Sequence, residues 1–414
     1  MSNLKDNKKI FFIDPNLRIV KTYDDFFKDL NTVDPSDVFL QENDTFLFFV
    51  KLIKKIILNE DCIILDSDFE KQELKHDRQI DVAYENRIVE DFGCFVDFLN
   101  RIKTSTSEIS IFTSGTTGKP KKVIHSIQTL TRAVKNKKEI KSCIWAFAYN
   151  PTHIAGIQVF FQALFNENTL IDVYRKSRTT IYDAFEKYRV SHISATPTFY
   201  RLLFPFEREF MDVLRITFGG EKSELNLHEK VQKIFPNAKV TNIYASTELG
   251  TLLYSNGEIF TIPENLKNDI LIKDNELHVR TTLLGKSEDL VVEGGLYRTG
   301  DIVEIISTNP IKFIFKTRVG DYVNVGGSKV NIQEVEEVLS SIDGILIASV
   351  SVKSNSILGN ILIGNVVSDF TNGDLTEKYI KTILRDKLQS FKIPRIIKIV
   401  KELDYTRTGK ILKK

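Results

Sequence analysis

Ile111-Phe-Thr-Ser-Gly-Thr-Thr-Gly-Lys-Pro-Lys121 leads an apolar run, Ile109–Thr113, into a turn made of glycines and hydroxyl residues. The apolar run reads as a strand. Gly115 and Gly118 let the backbone after it turn with its N–H groups inward, which makes a concavity suited to anions. Thr113, Ser114, Thr116 and Thr117 add hydroxyl donors and Lys121 adds a positive charge, a mixture suited to a tri- or pyrophosphate. Pro120 follows Lys119 where a Walker A loop requires Ser or Thr and the start of a helix, so the turn is not a P-loop. An ordinary hairpin turn needs one or two glycines, not four hydroxyls set between them.

Outward from this stretch the chain alternates between strand and helix. Upstream, one or two strands precede an apolar helix over Phe46–Leu58 and the strand Cys62–Leu65. Downstream, helices are expected at Ile127–Lys137, Ile154–Phe165, Ile181–Tyr188 and Leu225–Ile234. Strands are expected at Ser142–Tyr149, Thr169–Val173, His192–Ala195, Arg215–Phe218 and Lys239–Tyr244. Strands separated by helices of this length imply βαβ units and mainly parallel sheets covered on both faces. After Tyr254 shorter strands, Glu276–Thr281 and Asp301–Ile306, suggest a small antiparallel or barrel-like subdomain. A third block has a glycine turn, helices at Ile332–Leu339 and Lys378–Leu388, and strands at Ile345–Val352 and Ile361–Val367. It reads as a compact α+β unit of plausible domain size. The expected fold is α/β, with a large domain over 1–317 and a small α+β domain over 318–414.

Composition excludes several classes. Across 414 residues, 57 Lys and Arg face 55 Asp and Glu for a net charge of +2, which lacks the basic excess of a nucleic-acid binder. Three scattered cysteines, Cys62, Cys94 and Cys143, include no CxxC pair and argue against a disulfide framework or zinc site. The apolar stretch from Phe46 is broken by Lys51, Lys54 and Lys55 and is too short to span a bilayer. The N-terminal segment lacks the pattern of a signal peptide. A cytoplasmic enzyme is expected.

The turn Thr113–Lys121 resembles the signature of the adenylate-forming superfamily: acyl- and aryl-CoA synthetases, peptide-synthetase adenylation domains and luciferases. Further segments match in that family's order, so the resemblance covers about residues 105 to 414. Asn242-Ile-Tyr-Ala-Ser-Thr-Glu248 resembles its YGxTE segment, with Ala245 in place of Gly. The resemblance implies that Tyr244 stacks on adenine, that Asn242 reaches the exocyclic amine, and that Glu248 with Thr247 holds Mg²⁺. An aromatic face suits a purine, and Mg²⁺ takes a carboxylate together with phosphate oxygens; on its own, a Thr-Glu after a strand is usually a helix N-cap. Gly219, Gly220 and Glu221 resemble the adenine-pocket glycine pair and its neighbour. Asp301, in Tyr297-Arg-Thr-Gly-Asp301, would accept from both ribose hydroxyls, as a two-oxygen acceptor suits a diol.

Arg318 would contact ribose or phosphate at the inter-domain hinge, where Thr317 and Gly320 depart from the family's usual Gly and Asp or Lys. Gly326 and Gly327 resemble the loop beside the pantetheine tunnel. Lys410, in Tyr405-Thr-Arg-Thr-Gly-Lys410, is similar to the adenylation lysine, and Lys413 and Lys414 read as a solvated tail. His153 falls where many CoA-forming relatives carry a His beside the acyl pocket. No Asp lies between Ala146 and Ile157, which disfavours an α-amino acid substrate.

The resemblance thus implies an ATP- and Mg²⁺-dependent acid:thiol ligase with a shortened region before the phosphate turn. It would form an acyl-adenylate from a small carboxylic acid and pass the acyl group to CoA. A phosphopantetheinyl acyl carrier protein or an amine as acceptor, and a non-catalytic nucleotide-binding scaffold, are the alternatives.

Overall fold

The computed structural model describes residues 8–34, 37–67, 69, 89, 92–113, 121–136, 141–205, 208–223, 225–325, 328–355, 359–368, 376–406 and 410–411. The chain opens with the hairpin β1 (Ile10–Asp14) and β2 (Ile19–Thr22), then helix α1 (Tyr23–Thr32). A first α/β layer follows: β3 (Phe39–Gln41), α2 (Thr45–Ile57), β4 (Cys62–Leu65), α3 (Phe95–Lys103), β5 (Glu108–Thr113), β6 (Lys121–Ser126) and α4 (Ile127–Thr131). The second layer has β7 (Ile144–Phe147), α5 (Ile154–Leu164), β8 (Thr169–Asp172), α6 (Arg178–Tyr188), β9 (His192–Ala195) and α7 (Pro197–Arg201). It ends with β10 (Arg215–Phe218), α8 (Leu225–Ile234), β11 (Lys239–Ser246) and β12 (Gly250–Ser255).

These elements make two sheets. One runs β12-β11-β10-β9-β7-β8-β1-β2, parallel from β11 to β1 with an antiparallel strand at each edge; the other runs β3-β4-β5-β6 with only the β5–β6 pair antiparallel. The strand sequences explain the layout, since runs such as Cys62–Leu65 and His192–Ala195 are buried along their whole length, as strands covered on both faces must be. Between the sheets lies a phenylalanine-rich core in which Phe49 stacks on Phe160 at 3.9 Å.

A six-stranded antiparallel sheet follows: β13 (Phe260–Thr261), β14 (Ile270–Lys273), β15 (Glu276–Arg280), β16 (Val292–Glu293), β17 (Leu296–Thr308) and β18 (Ile311–Arg318). It is the small β subdomain expected after Tyr254. The remaining elements are the hairpin β19 (Tyr322–Val325) and β20 (Ser328–Asn331), α9 (Ile332–Ser340), β21 (Ile345–Asn355), β22 (Gly359–Ser368), α10 (Glu377–Lys387) and β23 (Ile396–Val400). Their core, including Val330, Val335, Leu339, Val350, Leu362, Ile380 and Leu384, draws no residue from before Val325.

Two local expectations need correction. The helix read over Ile127–Lys137 ends at Thr131, whose hydroxyl donates to Ile127 O at 2.8 Å; Arg132 then turns away to donate to Leu249 O and Leu283 O. Lys54 and Lys55 do not interrupt the apolar helix but are buried within it. Lys54 Nζ donates to Val33 O at 2.7 Å, and Lys55 Nζ lies 3.7 Å from Glu60 Oε2. Thr247 and Glu248 lie on the turn joining antiparallel β11 to β12.

Candidate functional site

A cavity of about 620 Å³ opens along one face of the large sheet. Side chains alternate across a strand, and the lining follows that rule: Trp145 on β7 and Tyr149 just after it, His192 and Ser194 on β9, Arg215 and Thr217 on β10, Thr241, Ile243 and Ala245 on β11. Opposite these strands stand Ile154, Gln158 and Gln162 of α5, and Thr251 of the edge strand β12 completes the lining. Gln158 ties this wall together, its Oε1 accepting from Thr251 N at 3.0 Å and Thr251 Oγ1 at 2.8 Å. The cavity reaches Gly219, Gly220, Ser246, Thr247 and Lys410 at the carboxyl ends of the strands, where ligands bind in open α/β sheets. Gly220 has φ +81°, a conformation that favours glycine.

Asn242 and Tyr244 point to the other side of β11. The Tyr244 hydroxyl donates to Asp301 Oδ2 at 2.7 Å, and its ring stacks on Phe315 at 4.6 Å. Arg318 Nε lies 3.7 Å from Asp301 Oδ1, so the three residues form one cluster between β11, β17 and β18. Burial raises the Asp301 carboxyl above the usual range against the opposing pull of Arg318. Asn242 is more committed than its sequence context implies: Nδ2 donates to Gly257 O and Oδ1 accepts from Ser223 Oγ, both at 2.8 Å. A purine amine could use only the second lone pair of Oδ1.

Glu248 sits on the β11–β12 turn with Thr247. Its carboxylate makes no hydrogen bond or ion pair with the described residues, and these contain no cluster of three or more His, Cys, Asp or Glu that could hold a metal. A single open carboxylate fits Mg²⁺, which binds through one or two carboxylates plus phosphate oxygens and water. The turn is anchored by His125, a residue the sequence did not single out: Nε2 meets Thr247 O at 2.8 Å and Nδ1 meets Thr129 Oγ1 at 3.2 Å. Burial pushes the His125 imidazole down to about 4, so it is neutral at pH 7 and donates from Nε2.

Lys410 comes from beyond the α+β core. Thr406 N donates to Lys410 O at 2.7 Å, Lys410 N donates to Thr406 Oγ1 at 3.2 Å, and Tyr405 pairs with Ile411, which closes a small hairpin. Desolvation lowers the pKa of its ammonium group, with Glu221 and Glu248 pulling the other way. Glu221 also accepts from Thr198 N and Oγ1, fixing the first turn of α7. Lys222 Nζ pairs with Glu337 Oε1 of α9 at 2.8 Å, a second contact between the large sheet and the α+β unit.

His153 lines the cavity as the N-cap residue of α5, its Nε2 3.7 Å from Asp66 Oδ2. Asp66 also accepts from Asn150 Nδ2 and Thr152 Oγ1, which holds its carboxyl well below the usual range despite burial. Ser114, Gly115, Thr116, Thr117, Gly118, Gly326 and Gly327 lie outside the described residues. The strands that bound the phosphate turn are in place, Thr113 pairing with Lys121 at the end of the β5–β6 hairpin.

Two α/β layers built mainly of parallel strands, a β subdomain and a small α+β unit beside this cavity are the architecture of adenylate-forming enzymes. The chain belongs to the AMP-binding enzyme family, whose model matches residues 47–280, and the AMP-binding enzyme C-terminal domain matches residues 334–410. It is similar to bacitracin synthase 3 of Bacillus licheniformis, 23% identical over 82% of this chain; the chain spans 6% of that protein's length. It is 25% identical over 73% of its length to a 2-succinylbenzoate–CoA ligase of Staphylococcus epidermidis, of which it spans 68%. The structure of o-succinylbenzoate CoA synthetase from Bacillus subtilis with its acyl-adenylate intermediate shares the fold, with a TM-score of 0.67 and 19% identity over 99% of this chain and 95% of that one. No helix among the described residues is long and apolar enough to cross a membrane.

Proposed function

We propose that this protein is an AMP-forming acid:thiol ligase that activates a carboxylic acid with MgATP and transfers the acyl group to CoA. A carboxylate oxygen attacks the α-phosphorus of ATP, the bond to the β-phosphate oxygen breaks, and pyrophosphate leaves. A thiol sulfur then attacks the acyl carbonyl, its proton goes to solvent, and AMP departs as the leaving group.

The observation that carries this reading is Lys410 at the same cavity end as Gly220, Ala245 and Thr247, with the Tyr244–Asp301–Arg318 cluster on the far side of β11. An acid in the cavity would meet a nucleotide across the carboxyl ends of β10 and β11, and Lys410 would offer a fixed positive charge to the crowded anions. One preorganised donor of this kind is worth about 3–4 kcal/mol of barrier. Asp301 and Arg318 would hold the ribose, and a purine would use the face of Tyr244 away from Phe315. Mg²⁺, carried by Glu248 at the Thr247 turn, would neutralise the phosphates. Residues 1–317 would form the nucleotide-binding domain and 318–414 a lid that rotates between the two half-reactions. Three cysteines, none in a disulfide, fit a reducing cytoplasm.

ATP–pyrophosphate exchange across a panel of carboxylic acids tests the first step. Parallel assays with CoA and with a phosphopantetheinyl carrier protein identify the acceptor. Lys410→Ala is expected to lose exchange by at least about a hundredfold while keeping thioester formation from supplied acyl-adenylate. Equal loss in both assays would remove Lys410 from its assigned step.

A further inference from the structure

The end of the cavity away from Lys410 has a composition of its own. Trp145, His192 and Arg215 are register partners across three adjacent strands: Trp145 pairs with His192, and His192 with Arg215. Residues paired in this way project from the same face of a sheet, and all three line the cavity. Trp145 is 9% exposed and His192 is 4% exposed, yet Trp145 Nε1 and His192 Nε2 have no hydrogen-bond partner among the described residues. Buried polar atoms are almost always satisfied, so the orphaned indole N–H points to a missing acceptor, as does His192 Nε2 in the tautomer in which the Ser191 hydroxyl donates to Nδ1 at 3.0 Å. Arg215, more open to solvent at the start of β10, has no hydrogen bond or ion pair from its guanidinium among the described residues. Lys135, also lining this end, holds its ammonium 4.0 Å from the Tyr254 ring centroid. No Asp or Glu lines the cavity among the described residues.

Both ends therefore carry cations, Lys410 at one and Arg215 at the other. Between them the walls are apolar or weakly polar. An indole N–H and a guanidinium can only donate, so their shared ligand must be an acceptor. The electrostatics ask for it to be an anion, since a cationic end with no facing carboxylate repels a second cation and gains nothing from an alkyl terminus. Arg215 and Gly219 are four residues apart along β10, which at strand rise separates the two ends by roughly 13 Å. A carboxylic acid of medium length spans that distance.

Resting on the adenylation proposed above, we infer that the substrate is a diacid: one carboxylate is activated beside Lys410, and a second is held by Arg215, Trp145 and His192. The second carboxylate is not consumed. It selects the acid and fixes how deeply it enters, which sets the first carboxylate at the phosphate. Binding would also complete the hydrogen bonds of Trp145 and His192.

Pyrophosphate exchange on the full-length protein decides this, using matched pairs of aliphatic and aryl acids, each with and without a terminal carboxylate. Diacids are expected to exceed their monoacid partners at least tenfold in kcat/KM, mostly through KM. Arg215→Gln and Trp145→Phe, each checked for a wild-type circular dichroism spectrum, should shrink that ratio toward one. Trp145→Phe keeps an aromatic side chain, though a smaller one, and removes the N–H, so with a wild-type circular dichroism spectrum its effect reports the lost donor. If monoacids are activated as well as diacids, or the ratio survives both substitutions, the second-carboxylate site is wrong while adenylation stands. If no acid of either kind supports exchange although ATP binds, adenylation itself fails and the diacid site falls with it.

Discussion

Lys410 is set in an environment that works against its own charge. Desolvation lowers its pKa below the ordinary lysine value of 10.5, and the nearby Glu221 and Glu248 offset this only in part. The sign matters for rate. A lowered pKa means that the ammonium form is lost at a lower pH than for a surface lysine, so a step that needs the cation slows as pH rises through the depressed value. Pyrophosphate exchange is therefore expected to show an alkaline limb that begins at lower pH than an ordinary lysine would give. Lys410→Arg, whose guanidinium stays charged throughout, should lose that limb while retaining a reduced rate. An unchanged limb in the variant would mean that another group titrates.

The start of α5 shows how far one glycine can constrain an element. A Cβ on Gly156 would stand 2.2 Å from Asn150 O and 3.2 Å from the Pro151 Cα, both backbone atoms that cannot swing aside. Gly156→Ala should cost about 1–3 kcal/mol through overpacking, read from urea unfolding. It should also raise KM for the acid, because the displaced turn carries Asn150 and His153 onto Asp66. A stable variant with unchanged KM would show that the turn can relax. This constraint could not be read from Asn150-Pro-Thr-His-Ile-Ala-Gly156, where the clash arises only once the helix folds back on its own leader. What could be read were elements whose pattern is local: His192–Ala195, Arg215–Phe218 and Leu225–Ile234 begin and end where their apolar runs do. Helix α1 was missed although Thr22 and Asp25 form a capping box, because Tyr23–Thr32 mixes three Asp and a Lys into a short apolar stripe. The diagnostic segments that were read, Tyr244, Asp301 and Lys410, owe their legibility to fixed spacing within each segment. Trp145, His192 and Arg215 have no such spacing. They are 47 and 23 residues apart and meet only through strand register.

At the scale of the whole molecule, two buried histidines tie stability to pH. Burial pushes both His125 and His192 down to about 4. Between pH 4 and the unfolded value near 6.5 the unfolded chain holds more protons, so stability is complete above 6.5 and falls as pH drops toward 4, on the order of 3 kcal/mol for each residue. Asp172, raised to about 6 by burial, opposes this over much the same window, as does the raised carboxyl of Asp301, while the lowered imidazole of His228 acts with the two histidines. Urea unfolding from pH 7.5 to 4.5 should show stability declining with acid, and His125→Gln should flatten the slope. A variant as pH-sensitive as the wild type would exclude His125 as a source.

The orientation of the 318–414 unit depends on a different quantity. Gly320 adopts φ +104°, and a Cβ there would meet nothing within 4 Å, so an alanine would cost backbone strain alone, about 1–3 kcal/mol. The contact between Lys222 and Glu337 is partly exposed and contributes roughly 0–1 kcal/mol. It cannot hold the unit in place against that strain. If residues 318–321 are where rotation occurs, the strain belongs to the orientation with Lys410 at the cavity and is relieved in the other. Gly320→Ala should then slow pyrophosphate exchange by roughly tenfold, the equivalent of about 1.4 kcal/mol, and change thioester formation from supplied acyl-adenylate far less. A glycine that keeps its left-handed backbone in both orientations would instead lower the two rates together, and the pivot would have to lie elsewhere in the chain.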